Sequence, residues 1–218
     1  MKKIFYTLMI LALMIPNICG ASAIKTWKID GEYHAVYPSV DSEIDASEIP
    51  KYNRISEKIN EVMRDYWNSV AFTGGFVKST MNYEITCDKD NFLSMVFTVT
   101  MMFTDKPDFY EKDENGNIIP YIYKRTLNFD MRTGYFIEPE SLKNFSDKYS
   151  CTPQDISKKL QEYAKAHNFE LDSAMKDLQI IPQCYYIDEN FHLHFIFAGY
   201  ELSQKLKYYD FVDIDMTK

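Results

Sequence analysis

Between Tyr83 and Phe103 the chain spells out two β-strands and the turn that joins them, and no other segment restricts the fold as much. Tyr83, Ile85 and Cys87 alternate with polar residues, and Asp88-Lys89-Asp90-Asn91 supplies the turn. Met95, Phe97, Val99, Met101 and Phe103 then recur at every second position on the way back. Period-two alternation of this length suits a strand and not a helix, whose faces repeat every 3.6 residues. The other face of the return strand carries Ser94, Thr98, Thr100 and Thr104, so that side is expected to be the more exposed. A sheet with one apolar face needs a second layer to cover it.

The sequence offers helices for that layer. Ser47 as N-cap and Pro50 in the first turn open a helix whose stripe is Tyr52, Ile55, Ile59, Val62, Met63, Tyr66 and Val70, closed by Gly74-Gly75. A second helix is expected from Thr152-Pro153, with Ile156, Leu160, Tyr163 and Ala164 inward, and a short third within 169–179 around Leu171, Met175 and Leu178. Further strands are expected at Trp27-Lys28-Ile29 and Tyr33 to Tyr37. More follow at Ile118 to Asp130, Tyr135-Phe136-Ile137, Cys184 to Ile187, Phe191 to Phe197, and from about Tyr208 to Met216. No repeat or long linker divides them. The fold class read from this order is α+β, a mainly antiparallel sheet packed against two or three helices in one domain.

The start of the chain reads as an export signal. Lys2 and Lys3 precede an apolar run from Ile4 to Ile15, then Pro16 and Asn17, and Ala21-Ser22-Ala23 offers small residues for cleavage. The run is shorter than the roughly 20 residues of a membrane helix. Residues 1–23 are therefore expected to be removed, leaving 24–218 as one soluble domain, periplasmic or extracellular. Removal leaves 22 basic against 32 acidic side chains, a formal charge of −10. Such a balance disfavours nucleic acid and anionic membrane surfaces and suits a basic partner.

Catalytic and metal motifs are sparse. Cys87, Cys151 and Cys184 form no C-x-x-C pair; two of them could bridge in an exported protein, with no pairing indicated. His192 and His194 share one face of a strand, as a metal site on a sheet would require, but spacing supplies two ligands where zinc takes three or four. The simpler reading has Phe191, Leu193 and Phe195 in the core and both histidines in water, so neither a metal nor any other cofactor is expected. Asp113, Asn115 and Asn117 start like a calcium loop, yet Ile118 and Lys124 stand where glycine and glutamate belong; Asn115-Gly116 reads instead as a hairpin turn. Nucleophile elbow, zincin helix and phosphate loop are all missing.

Aromatic side chains are the remaining candidates, with 17 Tyr and 15 Phe against seven glycines. Exposed tyrosines stack on sugars and anchor protein partners. Tyr110, Tyr121 and Tyr123 near the acidic loop Asp105 to Asn117, and Tyr200 with Glu201, Tyr208 and Tyr209 near the C-terminus, are the candidate binding residues.

Three stretches carry a family likeness. They are Tyr37-Pro38 followed by a helix centred on Ile59-Asn60; Thr126-Leu127-Asn128-Phe129-Asp130-Met131-Arg132-Thr133-Gly134 with Leu142 soon after; and Phe191 to Phe197 followed by Gly199-Tyr200-Glu201-Leu202. The second is similar to a strand-turn "FDLKTG" signature and the third to an "F-x-x-YE-(I/L)" segment. In this order the chain resembles the extracytoplasmic domain of RsiV-type anti-sigma factors, also found beside PdaC-type polysaccharide deacetylases. The resemblance implies an α+β domain outside the membrane and, through the lysozyme recognition of the RsiV type, a basic partner. The sigma-binding segment and membrane helix of that type are not seen here, and the acidic loop replaces a glycine- and histidine-containing stretch.

The expected function is thus a non-catalytic exported binding domain for a cell-envelope component such as peptidoglycan, or for a basic protein such as lysozyme. The alternative is an envelope hydrolase, or an accessory module of a peptidoglycan-modifying enzyme, using carboxylates around Asp41 and Glu43 or in the acidic loop. A purely structural envelope protein is a third possibility.

Overall fold

The computed structural model describes residues 24–29, 33–40, 44–72, 77–103 and 112–217. The expected signal segment 1–23, Tyr110, and the carboxylates Asp41 and Glu43 lie outside the described residues. Strands β1 (Ile24–Ile29), β2 (Tyr33–Val40), β3 (Val77–Lys89), β4 (Phe92–Phe103), β5 (Tyr121–Asp130) and β6 (Tyr135–Phe136) form one sheet in that order. Its pairs are antiparallel except β2 with β3, and these two are joined through helix α1 (Ile49–Phe72), as a parallel crossover demands. A second sheet contains β7 (Tyr185–Ile187), β8 (Leu193–Ala198) and β9 (Phe211–Asp215), all antiparallel. Helices α2 (Pro153–Ala166), α3 (Ser173–Lys176) and α4 (Gly199–Leu202) complete the regular elements among the described residues, with two 3-10 turns at Pro139–Asn144 and Asp147–Tyr149. The result is a single α+β domain with mainly antiparallel sheets, as the residue pattern requires. No helix among the described residues is long and apolar enough to cross a membrane.

The alternation in β3 and β4 positions the first core. Met95, Phe97, Val99 and Met101 are buried with Leu127 and Phe129 of β5 against Tyr52, Ile55, Ile59, Val62, Met63 and Tyr66 of α1. The helical stripe read from sequence meets the strand face read from sequence. Ser47 does not cap α1; its hydroxyl is hydrogen-bonded to Asp45 Oδ1 at 2.7 Å. Thr152 does cap α2, with Asp155 returning the bond to the Thr152 amide in a capping box.

The expectation that the Ser94 side of β4 would be exposed fails at one end. Ser94 is 0% exposed and Val96 7%, whereas Thr98 and Thr100 are half-buried. The second sheet covers this end, and Ser94, Asn128 and Thr126 bind its first strand. Ser94 Oγ donates to Asn128 Oδ1 at 2.6 Å and accepts from the Ile187 amide at 3.1 Å. Asn128 Nδ2 donates to the Tyr185 carbonyl at 2.8 Å, and the Tyr185 amide donates to Thr126 Oγ1 at 3.1 Å. Polar residues on a strand face here mark a buried junction, since a short strand laid across another sheet has backbone groups that still need partners. Beyond it a second core joins Tyr185, Ile187, Leu193, Phe195, Phe197, Val212 and Ile214 to Ile156, Leu160 and Ala164 of α2.

Candidate functional site

Of the tyrosines singled out by sequence, Tyr121, Tyr123, Tyr208 and Tyr209 converge, while Tyr110 lies outside the described residues. Tyr121 and Tyr123 are two residues apart on β5 and so share a face, with ring centroids 6.2 Å apart. The Tyr208 ring lies parallel to that of Tyr121 at 6.3 Å, and Tyr209 meets Tyr208 edge-on at 5.2 Å. Tyr200 is 48% exposed and lies near enough to Tyr121 for that phenol to bear on its own acidity. Burial, Tyr121 and then Glu201 push the Tyr200 phenol up to about 12, so it remains a neutral donor and acceptor at physiological pH. Glu201 is exposed and accepts from the Ala198 amide at 3.0 Å, fixing the first turn of α4. Tyr123 and Tyr121 are partly buried against the α1 core; Tyr200 is the exposed member.

Local chain geometry brings the C-terminal tyrosines there. The segment after α4 doubles back, with the Gly199 amide donating to the Asp210 carbonyl at 2.7 Å. A Cβ on Gly199 would stand 2.7 Å from the Lys207 carbonyl oxygen, so a residue without one is required for the close return. Lys207 to Asp210 forms a turn in which Asp210 Oδ2 accepts from the Lys207 amide at 3.0 Å. Tyr208 is then held by its hydroxyl, which donates to the Ile119 carbonyl at 2.7 Å. The charge around the cluster is mixed: Glu201 and Asp210 are accompanied by Lys207, over the Tyr209 ring at 5.5 Å, and Lys124, over Phe211 at 5.2 Å.

The histidine pair is placed differently from its sequence reading. Leu193 and Phe195 are buried as expected, but the His194 side chain is only 16% exposed and His192 39%. His194 pairs across β9 with Asp215 and across β7 with Tyr186, whose ring stacks on it at 4.6 Å. Asp188, in the turn before β8, completes a group of three with ligand atoms within 4.8 Å of one another. Sequence reasoning looked for further imidazoles and so missed this carboxylate, although its distance of four residues from His192 across a tight turn was a usable signal. Burial opposes charge on both His194 and Asp188. For His194, Asp213, Asp215 and Asp188 outweigh that and raise its pKa; for Asp188, the His192 and Asn190 amides and the two histidines lower it.

The Asp113 turn uses its oxygens internally, accepting from the Asn115 and Asn117 amides at 2.9 and 2.8 Å, and Gly116 closes it at φ +81°. The hairpin reading of that segment holds. Cys87 and Cys184 stand as free thiols. Burial, as the leading cause, pushes the thiols of Cys87 and Cys184 up to about 11. A thiol titrating near 11 instead of near 9 is roughly 100-fold less ionised at neutral pH, and the thiolate is the reactive form. Because a thiolate of higher pKa is also the stronger nucleophile, iodoacetamide should alkylate both at least about tenfold more slowly in the folded protein than in urea, with the rate rising as pH approaches 11. Peptide mass mapping measures this; equal rates in the two states would contradict it.

No family model matches the chain, and no curated protein matches it. Among solved structures it is similar to a DUF3298 family protein from Pseudomonas aeruginosa PAO1, at 10% identity and a TM-score of 0.51, over 89% of this chain and 88% of that one. It is also similar to a member of the same family from Bacteroides fragilis NCTC 9343, at 8% identity and a TM-score of 0.45, over 91% of each chain. The first likeness is one of fold, a single α+β domain.

Proposed function

We propose that the protein is an exported, non-catalytic binding domain whose tyrosine cluster recognises a cell-envelope component or a basic protein of the lysozyme kind. The observation that carries this reading is the assembly of Tyr121, Tyr200, Tyr208 and Tyr209 from two distant segments into one aromatic surface with an exposed phenol. Tyrosine rings provide large contact area at small entropic cost and stack on sugar rings as readily as on protein. The fold shared with a DUF3298 protein and the RsiV- and PdaC-like motifs support an extracytoplasmic setting, as do Lys2 through Ala23. The formal charge supports a basic partner at long range, while the mixed charge beside the tyrosines points to aromatic contact as the close-range term.

Calorimetric titration with lysozyme and, separately, with soluble peptidoglycan fragments, at low and moderate salt, tests the proposal. One of the two should bind, and Tyr200→Ala should weaken binding by about tenfold or more, the loss typical of an interface anchor. Because Tyr200 is 48% exposed, that variant keeps its fold. Binding of neither ligand at low salt, or full binding by the variant, overturns the reading.

A further inference from the structure

We infer that Asp188, His192 and His194 form a binding site for a divalent transition-metal ion of the zinc type, with Asp215 beside it. The four residues lie on the solvent side of the second sheet. Leu193, Phe195, Val212 and Ile214 alternate with them into the core, so strand pleating alone puts His192, His194 and Asp215 on one face.

The donor atoms are arranged as ligands are. Asp188 Oδ1 accepts from the Asn190 and His192 amides at 2.9 and 2.7 Å, which pins the carboxylate and leaves Oδ2 turned to the histidines. Oδ2 lies 3.5 Å from His192 Nδ1 and 3.7 Å from His194 Nε2. Asp215 repeats the pattern: Oδ1 accepts from the Thr217 amide at 2.7 Å, and Oδ2 lies 3.7 Å from His192 Nδ1. Ligand atoms around a tetrahedral zinc ion are about 3.3 Å apart when each bond is about 2.0–2.1 Å, so movements of a few tenths of an ångström would close the set.

His194 supplies the second, independent observation. Its Nδ1 lies 2.9 Å from Asp213 Oδ1, and a carboxylate can only accept, so the ring proton sits on Nδ1. Asp213 is itself held by the Tyr186 hydroxyl, which donates to Oδ2 at 2.6 Å. A carboxylate behind the far nitrogen is the usual way a metal-binding imidazole is oriented. The near nitrogen, Nε2, is buried and has no hydrogen-bond partner. A proton on Nε2 would leave it unsatisfied as well, because 3.7 Å to Asp188 is too long for a hydrogen bond. An ion bound by Nε2 and Oδ2 removes the difficulty. Two imidazoles in the set favour zinc and its neighbours over calcium and magnesium, which take oxygen. Tyr186, Asp188 and Asp213 also line a cleft of about 570 Å³ between the sheets, so the Asp188 side of the site borders open space.

The test is a titration of the full, untagged chain with Zn²⁺ alone after chelator treatment, read by calorimetry and by metal content after dialysis. One ion per chain is expected. His192→Ala should lower affinity by at least tenfold, and His192→Ala with His194→Ala should abolish stoichiometric binding. Asp213→Asn, which removes no ligand, should weaken it about tenfold through the lost orientation of His194. Since His192 is 39% exposed, its variant can be checked for native circular dichroism before titration. Co²⁺ should give the intense visible bands of a tetrahedral nitrogen-oxygen site in the wild type and lose them in the double variant. Failure to bind zinc, retention of wild-type affinity by the double variant, or calcium bound as tightly as zinc would each overturn the assignment.

Discussion

Asn128→Leu should destabilise the protein by about 4 kcal/mol, a large share of the ~5–15 kcal/mol that holds a domain of this size together. Leucine has the same branched shape as asparagine, so most of the loss comes from hydrogen bonds at a fully buried junction. Asn128 and Ser94 are each 0% exposed. Without the amide, the Tyr185 carbonyl and the Ser94 hydroxyl proton both lose their partners. Each orphaned buried group costs about 1–3 kcal/mol. Urea denaturation of the purified chain measures the effect. Ser94→Ala should cost somewhat less, by orphaning the Ile187 amide and Asn128 Oδ1. The double variant should then fall short of the sum of the singles, since the bond between the two residues is lost only once. A cost below about 1 kcal/mol for Asn128→Leu would show that the second sheet is held by its apolar contacts alone.

That junction also marks where sequence reading stops. The alternation of Met95, Phe97, Val99 and Met101 and the stripe from Tyr52 to Tyr66 were legible because each repeats the period of its own element. The same pattern gave the wrong environment for Ser94, because a strand face says how side chains alternate and not what is later laid across them. Asn128, Thr126 and Ser94 read as ordinary polar positions; what makes them structural is β7, which lies more than fifty residues further along the chain. The tyrosines were legible as a set of residues, and Tyr121 and Tyr208 do meet, but their meeting depends on the reversal at Gly199, a consequence of close backbone approach. The histidine pair was visible by spacing. Its carboxylates were not, because they come from a turn and a neighbouring strand.

Gly134→Ala should cost about 4 kcal/mol and loosen the attachment of α1 to the sheet. Gly134 ends the β5–β6 turn at φ +76°, where its amide donates to the Asp130 carbonyl at 2.6 Å. A Cβ there would stand 2.2 Å from the carbonyl oxygen of Lys51, a backbone atom in the first turn of α1 that cannot rotate away. Arg54 ties the same two elements, donating from Nη1 to the Thr133 carbonyl at 2.7 Å and to Pro50 at 3.0 Å, with its guanidinium 4.5 Å from the Tyr135 ring centroid. Relief of the clash must therefore move the helix start or the turn, and either movement opens the Arg54 contacts. Gly116→Ala separates the two causes. Gly116 also has a positive φ, +81°, but nothing lies within 4 Å of an added Cβ, so that substitution carries the left-handed strain of about 1–2 kcal/mol without a clash. The difference between the two variants in thermal or urea unfolding isolates the packing of α1 against the turn. Equal losses would mean that the helix yields freely at Lys51 and that the close approach contributes nothing to stability.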